Sequence, residues 1–396
     1  RRGRGVEQND IRAFSLYMSS AEQGNPYASL ELAKMYRDGL GTEPDLQQAE
    51  WRFQNAYSGY VVLEEKSHDD KLQYRIGQML HTGTGTSKDD EGAARYWEKS
   101  AKLGNINAQY ALGTLWLETG SGDSGQAVEW LTKAANAEHS AAQYVLGKLY
   151  QDGVYFNKDM DQAMKWFRSA AELGNEYAAY RMGCLLLLGE KIPKDVEAAV
   201  KWLSLSAEKG NPYAQYRLGM LYLKGEEYSP QVEVAMKWLQ QAAEQKNEWA
   251  FYQLGKLYLS GEHVTKNVET AVHYLGLCAE KGNQYAQYVL GKLYLCGRDV
   301  SRDREKAVEY LTASAEQGNL YASFLLEHLD AYQDPSLFLA ATRLLHHLEK
   351  LFCEEVQRPM EMKRYQIDRK RRRKLSEKKQ AQGHHRDDQE PAQGIY

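Results

Sequence analysis

Cysteine, proline and long apolar runs are all scarce in this 396-residue chain, which has 4 cysteines and 8 prolines. Four cysteines in so long a chain argue against a disulfide scaffold of the small secreted kind, and the absence of a Cys-x-x-Cys pair argues against a zinc site of the usual ligand spacing. The longest apolar run, residues 184–188, is far shorter than the roughly 20 residues that cross a bilayer. We therefore expect reduced thiols, no membrane span and a cytoplasmic location.

Charge is distributed unevenly along the chain. Residues 363–396 contain 11 Lys/Arg and 5 Asp/Glu, net +6, whereas residues 1–362 contain 39 and 49, net −10. A basic tail on an acidic body favours contact between the tail and a polyanion such as DNA, with a solvated tail as the alternative. The residues predicted to contact DNA phosphates are Arg369, Lys370, Arg371, Arg372, Arg373 and Lys374.

Two columns of small residues recur along most of the sequence. The first column has glycines spaced 36, 34, 36, 36, 36 and 36 residues apart, with Ala33 and Glu327 at its two ends. Its glycines are Gly77, Gly113, Gly147, Gly183, Gly219, Gly255 and Gly291. The second column has nine alanines: Ala13, Ala49, Ala93, Ala127, Ala163, Ala199, Ala235, Ala271 and Ala307. Each follows a member of the first column by 16 residues, except Ala127, which follows by 14, and Ala13, which has no first-column residue before it. Apolar residues at helical spacing around both columns predict nine A helices, around the first column, and nine B helices, around the second.

The residues between the columns predict where the helices begin and end. Asp or Asn stands four residues before eight of the nine B-column alanines, with Gln231 as the exception, and such side chains cap helix N-termini. Gly-Asn pairs such as Gly210-Asn211 predict a left-handed residue that closes each B helix. A single A–B hairpin of this size cannot bury its apolar surface, so the sequence predicts stacked hairpins.

The recurring pattern Tyr-Ala-x-Tyr-x-Leu-Gly-x-Leu-Tyr-x-x-Gly, then Asp-x-x-x-Ala-x-x-Trp-Leu-x-x-Ala-Ala-Glu-x-Gly-Asn, resembles the Sel1-like repeat, a relative of the tetratricopeptide repeat. The resemblance covers residues 9–329 and implies an all-α fold, a right-handed α/α superhelical solenoid of about eight to nine hairpin repeats. One repeat has eight extra residues within 59–72, which either lengthen a helix or form a larger loop.

We expect four regions along the chain. Residues 1–8 are a linker, 9–330 the solenoid, 331–358 a C-terminal capping helix and 359–396 a disordered basic tail. Because the first B helix has no A helix before it, we expect the sequence to be a segment of a longer polypeptide. The C-terminal segment also resembles the end of P-type mobilisation relaxases of conjugative elements. That resemblance implies an upstream DNA-nicking domain, none of whose catalytic residues can be assigned here.

The candidate site is a surface on the A helices, which line the concave side of right-handed hairpin arrays. Aromatic residues six and three positions before the glycine column would form a ladder that binds an extended peptide or a helix. The alternative is that these rings pack between repeats and seldom meet solvent. The predicted ladder residues are Tyr177, Tyr180, Tyr213, Tyr216, Trp249, Tyr252, Tyr285 and Tyr288. The cations predicted to be exposed beside them and to contact a partner are Lys148, Lys256, Lys292, Arg181 and Arg217.

Other motifs favour structural roles. The Gly-x-Gly-x-x-Gly match at residues 120–125 lies between two predicted helices instead of after a strand, which argues against a nucleotide loop. Neighbours in a helix point about 100° apart, so His346 and His347 are poorly placed to chelate one ion. Cys278 and Cys296 occupy positions filled by other residue types elsewhere in the repeats. We predict no catalytic residue, no cofactor and no metal site.

The sequence therefore predicts a monomeric, non-catalytic protein-interaction scaffold, with a protein or peptide in the concave groove and DNA at the tail. The relaxase resemblance favours the C-terminal module of a conjugative-element relaxase. Two alternatives are a free-standing bacterial signalling or assembly adaptor and a cysteine-rich hydrolase of the same repeat group. The hydrolases imply a paired cysteine bridge in each repeat, a pattern that these four cysteines lack.

Overall fold

The computed structural model describes residues 9–120, 123–189, 193–225 and 230–329. These residues form 18 α-helices and no strand, which confirms the predicted all-α fold class and the nine helices of each kind. Within the described residues, no helix is both long enough and apolar enough to cross a bilayer. The linker 1–8, the capping helix 331–358 and the tail 359–396 lie outside the described residues, and so do Cys353 and the histidine pair at 346–347.

The chain divides into two compact units, Arg1–Lys209 and Gly210–Tyr396, each of which is a tandem array of helix hairpins. The described part of the first unit has one B helix followed by five A–B hairpins. Its helices are α1 (Asp10–Glu22), α2 (Pro26–Asp38), α3 (Leu46–Ser67), α4 (Asp70–Thr82), α5 (Asp90–Lys102), α6 (Ile106–Thr119), α7 (Ser124–Asn136), α8 (Ser140–Asp152), α9 (Met160–Glu172), α10 (Glu176–Leu188) and α11 (Val196–Glu208).

Within its described residues, the second unit has three A–B hairpins followed by one more A helix. Its helices are α12 (Pro212–Lys224), α13 (Val232–Glu244), α14 (Glu248–Ser260), α15 (Val268–Glu280), α16 (Gln284–Cys296), α17 (Arg304–Glu316) and α18 (Leu320–Glu327). In both units the even-numbered helices are the A helices and the odd-numbered ones the B helices. The prediction of one solenoid over residues 9–330 stays a prediction.

The predicted helix boundaries are confirmed. Every B helix starts directly after the predicted N-cap residue, and in eight of the nine the cap side chain accepts a backbone N–H bond. Gln231 makes no such bond, since its longer side chain is a poor cap. The glycine after most B helices is left-handed, as at Gly210 with φ +94°. This left-handed residue ends the B helix and reverses the chain direction, so that the next A helix can pack against the B helix.

The glycine column lies where each A helix crosses the B helix that follows it. A Cβ atom built on Gly219 would lie 2.7 Å from Leu239 Cγ and 3.2 Å from the carbonyl oxygen of Ala235. The equivalent glycines in the other repeats meet a leucine or an aromatic ring at the same position, four residues after the B-column alanine. Because a side chain would separate the two helices, the 36-residue glycine period is a requirement of packing.

The eight extra residues lengthen a helix. Helix α3 has 22 residues, whereas every other B helix has 13. The longer helix buries Tyr60 and Glu64 beyond its usual end, and Glu64 Oε1 accepts a 2.8 Å hydrogen bond from Gln73 Nε2 of α4. This resolves the choice that the sequence left open between a larger loop and a longer helix.

Candidate interaction surface

The predicted partner-binding residues occupy one side of the A helices, which we call the A-face. It is defined by positions −6, −3, −2 and +1 of each A helix, counted from the glycine column. Asn residues position this face, because their side chains cap the N-termini of seven A helices; the cap Asn247, for example, accepts from the Ala250 backbone N–H at 3.0 Å. The opposite side of each A helix packs against its B helices, so the caps and the glycine contact together fix the direction of the A-face.

Rings on the A-face contact each other between successive A helices of the same unit. Between α8 and α10, between α14 and α16, and between α16 and α18, the ring at position −3 of the first helix contacts the ring at −6 of the second. The ring centroids of Tyr144 and Tyr177 are 6.2 Å apart, those of Tyr252 and Tyr285 are 6.3 Å apart, and those of Tyr288 and Tyr321 are 6.0 Å apart. The predicted ladder therefore exists as a series of contacts between repeats.

The sequence left open whether the ladder rings are exposed to a partner or packed between repeats, and the structure shows an intermediate exposure. Tyr177 and Tyr213 are 50% and 51% exposed, whereas Tyr288 is buried. Tyr180, Tyr216, Trp249, Tyr252 and Tyr285 are half-buried. Burial raises the pKa of the Tyr216 phenol, so this hydroxyl stays neutral and can donate a hydrogen bond. The rings thus pack between repeats and still offer an edge to solvent.

The five predicted cations differ from expectation, because all of them are half-buried instead of exposed. The ammonium group of Lys148 lies 6.0 Å from the centroid of the Tyr144 ring, and that of Lys256 lies 5.6 Å from the Tyr252 ring. Burial works against the charge of Arg181, but its interactions with Tyr144, Cys184 and Tyr180 together outweigh that effect and raise its pKa. Cation–π contacts of this kind hold the charges against the ring ladder.

A shallow cleft of about 460 Å³ lies on the A-face of the first unit, at the N-terminal ends of α4 and α6. Its lining includes Tyr74, Arg75 and Asn107. The guanidinium Nη1 of Arg75 donates a 3.0 Å hydrogen bond to the Tyr60 hydroxyl. In α6 position −6 is Asn107, whereas in α2, α10 and the A helices of the second unit it is an aromatic residue. Sequence analysis did not identify this cleft.

Sequence analysis also missed two hydrogen-bond columns that hold the helices in register. Buried glutamines of A helices donate to the last turn of the preceding B helix, as Gln143 Nε2 does to the Ala135 carbonyl at 3.0 Å. Near the end of several B helices, a hydroxyl or thiol donates to the first residue of the A helix in the same hairpin, as Ser314 Oγ does to Gln284 at 2.7 Å. The signal for the first column is the recurrence of Gln at 109, 143, 215 and 287, always between Ala and Tyr.

The sequence motifs that were considered as possible chemical sites have structural roles. The glycine-rich match at 120–125 links α6 to α7, although residues 121 and 122 lie outside the described residues. Burial raises the pKa of the Cys278 thiol to about 12, and its Sγ donates to the Glu248 carbonyl oxygen at 3.3 Å. Within the described part of the chain, no group of three or more His, Cys, Asp and Glu residues is placed to hold a metal ion.

Nine segments of the chain match the Sel1 repeat family, and the chain belongs to this family. Proteins of this kind are built from tandem α-helical hairpins. The matched segments are residues 1–25, 26–54, 71–105, 106–139, 140–175, 176–211, 212–247, 250–283 and 284–319. The gap between the second and third segments contains the additional part of α3.

Three similar proteins illustrate the range of the family. Chitin synthase regulatory factor 1 of Schizosaccharomyces pombe is 29% identical over 39% of this chain and 33% of its own. A component of an ERAD-associated E3 ubiquitin-protein ligase of Arabidopsis thaliana is 30% identical over 28% of this chain and 16% of its own. The crystal structure of a protective antigen of uropathogenic Escherichia coli strains matches with a TM-score of 0.59 and 29% identity, over 80% of this chain and 66% of that one. The chain thus spans a third or less of these two curated relatives.

Proposed function

We propose that this chain is a non-catalytic scaffold whose A-face binds a peptide or helical segment of a protein partner. The observation that carries the proposal is the ring ladder, in which aromatic side chains are held by neighbouring repeats and keep an exposed edge. Rings that are already fixed lose little side-chain entropy on binding, which favours affinity. The names of the matched relatives, a regulatory factor and a ligase component, describe proteins that act on or with other proteins and support the same interpretation.

Site-specific photo-crosslinking tests this proposal. A photoreactive phenylalanine analogue would replace Tyr213 or Tyr177 on the A-face, and Trp51 on the B helix α3 as a control with a similar exposure of 49%. In a lysate of the source organism, we expect adducts of defined mass from the two A-face positions and none of these from the control. Adducts of equal yield from Trp51 would place partner binding elsewhere.

The finer prediction is that the scaffold is the C-terminal module of a conjugative-element relaxase, with a tail that holds DNA. Its support is the C-terminal sequence resemblance and the net +6 charge of residues 363–396. The free-standing adaptor is the alternative, and the gene sequence upstream of the codon for Arg1 distinguishes the two, since a start codon there without a nicking domain rejects the relaxase context. The monomeric state, the cytoplasmic location and the concave position of the A-face stay predictions.

A further inference from the structure

The three complete hairpins of the second unit separate their charges between the two helix types. Their A helices α12, α14 and α16 have four basic residues and one acidic residue, Glu248. Their B helices α13, α15 and α17 have three basic and seven acidic residues. The A layer is therefore positive within an acidic chain body. The A helices of the first unit do not share this property, because their basic and acidic residues are equal in number.

Each of these three A helices contributes one cation to the A-face. Arg217 is at position −2 of α12, and Lys256 and Lys292 are at position +1 of α14 and α16. All three are half-buried, and neither lysine is ion-paired to a described residue. Half-buried charges are screened less by salt than fully exposed ones, so a row of them attracts an anionic ligand effectively.

The aromatic ladder is also complete in this unit. Each of α12, α14, α16 and α18 has an aromatic residue at both −6 and −3, whereas in the first unit several of these positions hold Lys, Asn, Ala or Leu. The eight residues are Tyr213, Tyr216, Trp249, Tyr252, Tyr285, Tyr288, Tyr321 and Phe324. The row of cations and the two columns of rings therefore follow the same helices.

From this arrangement we infer that the A-face of the second unit binds an extended acidic peptide segment with a carboxylate at every third residue. Successive A helices of this unit contact each other through their rings, as Tyr252 does with Tyr285 at a centroid distance of 6.3 Å. Helices in side-chain contact lie on the order of 10 Å apart. Three residues of a polyproline II chain rise about 9 Å, so such a segment would bring one carboxylate to each cation. The residues between the carboxylates would lie on the rings. This inference rests on the proposed function and adds the chemistry of the partner.

A nucleic acid fits the same row less well. A single strand has a charge on every nucleotide, so a strand that spans the A-face would have more phosphates than the row has cations. The net −10 charge of residues 1–362 also repels a polyanion more than a short acidic peptide. Nucleic-acid binding at this site is therefore the rival outcome of the test.

Fluorescence anisotropy with the full chain at low salt tests the inference. The probes are a labelled peptide of Glu-Ala-Pro repeats, a Gln-Ala-Pro peptide of the same length, a peptide with the same composition as the first but its Glu residues in one block, and a thymidine oligonucleotide. We expect the Glu-Ala-Pro peptide to bind about 5- to 30-fold more tightly than the Gln-Ala-Pro peptide, as two or three charge pairs allow. The blocked peptide should bind more weakly than the spaced one.

Two double variants distinguish the effect of this site on peptide binding from the effect of the net charge of the protein. Lys256→Gln combined with Lys292→Gln should remove most of the preference for the Glu-Ala-Pro peptide. Lys237→Gln combined with Lys306→Gln removes the same charge from the B helices α13 and α17 and should leave the preference unchanged. Lys256 and Lys292 are half-buried, whereas Lys237 and Lys306 are exposed. Glutamine keeps most of the aliphatic stem of each lysine, so both double variants should stay folded, and their Tm values check this.

Several outcomes would overturn the inference: equal affinity for the Glu and Gln peptides, no binding of either, equal loss in the two double variants, or oligonucleotide binding that depends on Lys256 and Lys292. If crosslinking at Tyr213 still gives specific adducts in those cases, the proposed function stands and the partner is not acidic. If the crosslinks are absent as well, the A-face is not a binding surface.

Discussion

His139 shows how one residue can make a repeat sensitive to pH. It is the N-cap of α8, where most A helices have asparagine, and its Nδ1 accepts the backbone N–H of Ala142 at 3.2 Å. The nitrogen that accepts this bond cannot carry a proton. Burial lowers the pKa of His139, whose ring also stacks on Tyr110 with a centroid distance of 4.6 Å. The positive end of the α8 dipole also disfavours a protonated His139, because the ring lies at the N-terminus of this helix.

We therefore expect stability that depends on His139 between neutral and mildly acidic pH. Because the pKa of His139 in the folded protein is below its usual value of 6.5, its contribution is complete above that pH and falls as the pH drops below it. Thermal melts from pH 7.5 to pH 5 of the parent and of His139→Asn check this. The variant keeps a cap that does not titrate, so its Tm should fall less with acid; parallel curves would contradict the assignment.

Cys278 is predicted to be a structural thiol that reacts only after unfolding. With a pKa of about 12 it has almost no thiolate at neutral pH. Iodoacetamide should modify it far more slowly in the native protein than in denaturant, and Cys278→Ser, followed by mass spectrometry, identifies the slow site. Since Ser206 and Ser314 donate the equivalent hydrogen bond in other hairpins, the serine variant should change stability by less than about 1 kcal/mol. Rapid native modification would show that the site opens.

Lys246 occupies a left-handed position that glycine fills in most repeats. Its φ is +60°, and its carbonyl oxygen accepts a hydrogen bond from Lys281 Nζ. Lys246→Gly keeps that backbone acceptor and relieves the strain, so we expect a gain of about 1 kcal/mol in the free energy of unfolding. The matched change Gly282→Lys, at φ +83° with no atom within 4 Å of an added Cβ, should lose a similar amount. Chemical denaturation measures the free energy of unfolding of both variants. A lower value for Lys246→Gly than for the parent would show that the backbone at Lys246 is not strained.

At the scale of the helix, the glycine column makes the most specific prediction. Gly219→Leu should destabilise the protein by more than about 2 kcal/mol, because even a Cβ at this position would lie 2.7 Å from Leu239 Cγ. Gly276→Ala is the control, since Gly276 is also inside a helix but has open space around an added Cβ. It should stabilise by about 0.5–1 kcal/mol through helix propensity. Equal effects of the two changes in urea melts would show that the crossing at Gly219 is not tight.

The helices could be predicted from sequence because each signal is local and repeated. Asp303 and Gly318 act within a few residues of their own position, so the start and end of α17 follow from the chain alone. The half-buried state of Lys256 could not be predicted in this way, because it depends on the Tyr252 ring and on how closely neighbouring A helices approach. The longer α3 was left open for the same reason, as the bond between Gln73 and Glu64 joins two helices.

At the scale of the whole molecule, the distribution of charge along the sequence favours different kinds of partner at the A-face and at the tail. The cationic A-face of the second unit suits a protein segment, whereas the excess of positive charge in residues 363–396 suits a polyanion. These two regions should therefore respond differently to truncation. A partner on the A-face should be unaffected by loss of the tail, since the rings and cations of that face all precede residue 329.

Deletion of residues 363–396 should weaken DNA retention and flatten its dependence on salt while leaving the Tm unchanged. For each phosphate that the tail no longer neutralises, the slope of log affinity against log salt becomes shallower by about 0.9 for duplex DNA. The control is deletion of residues 380–396, which have one basic and three acidic residues. This shorter deletion keeps the basic run and removes net negative charge, so DNA affinity should stay the same or rise. If both deletions leave affinity and slope unchanged in filter binding across a salt series, the tail does not hold DNA.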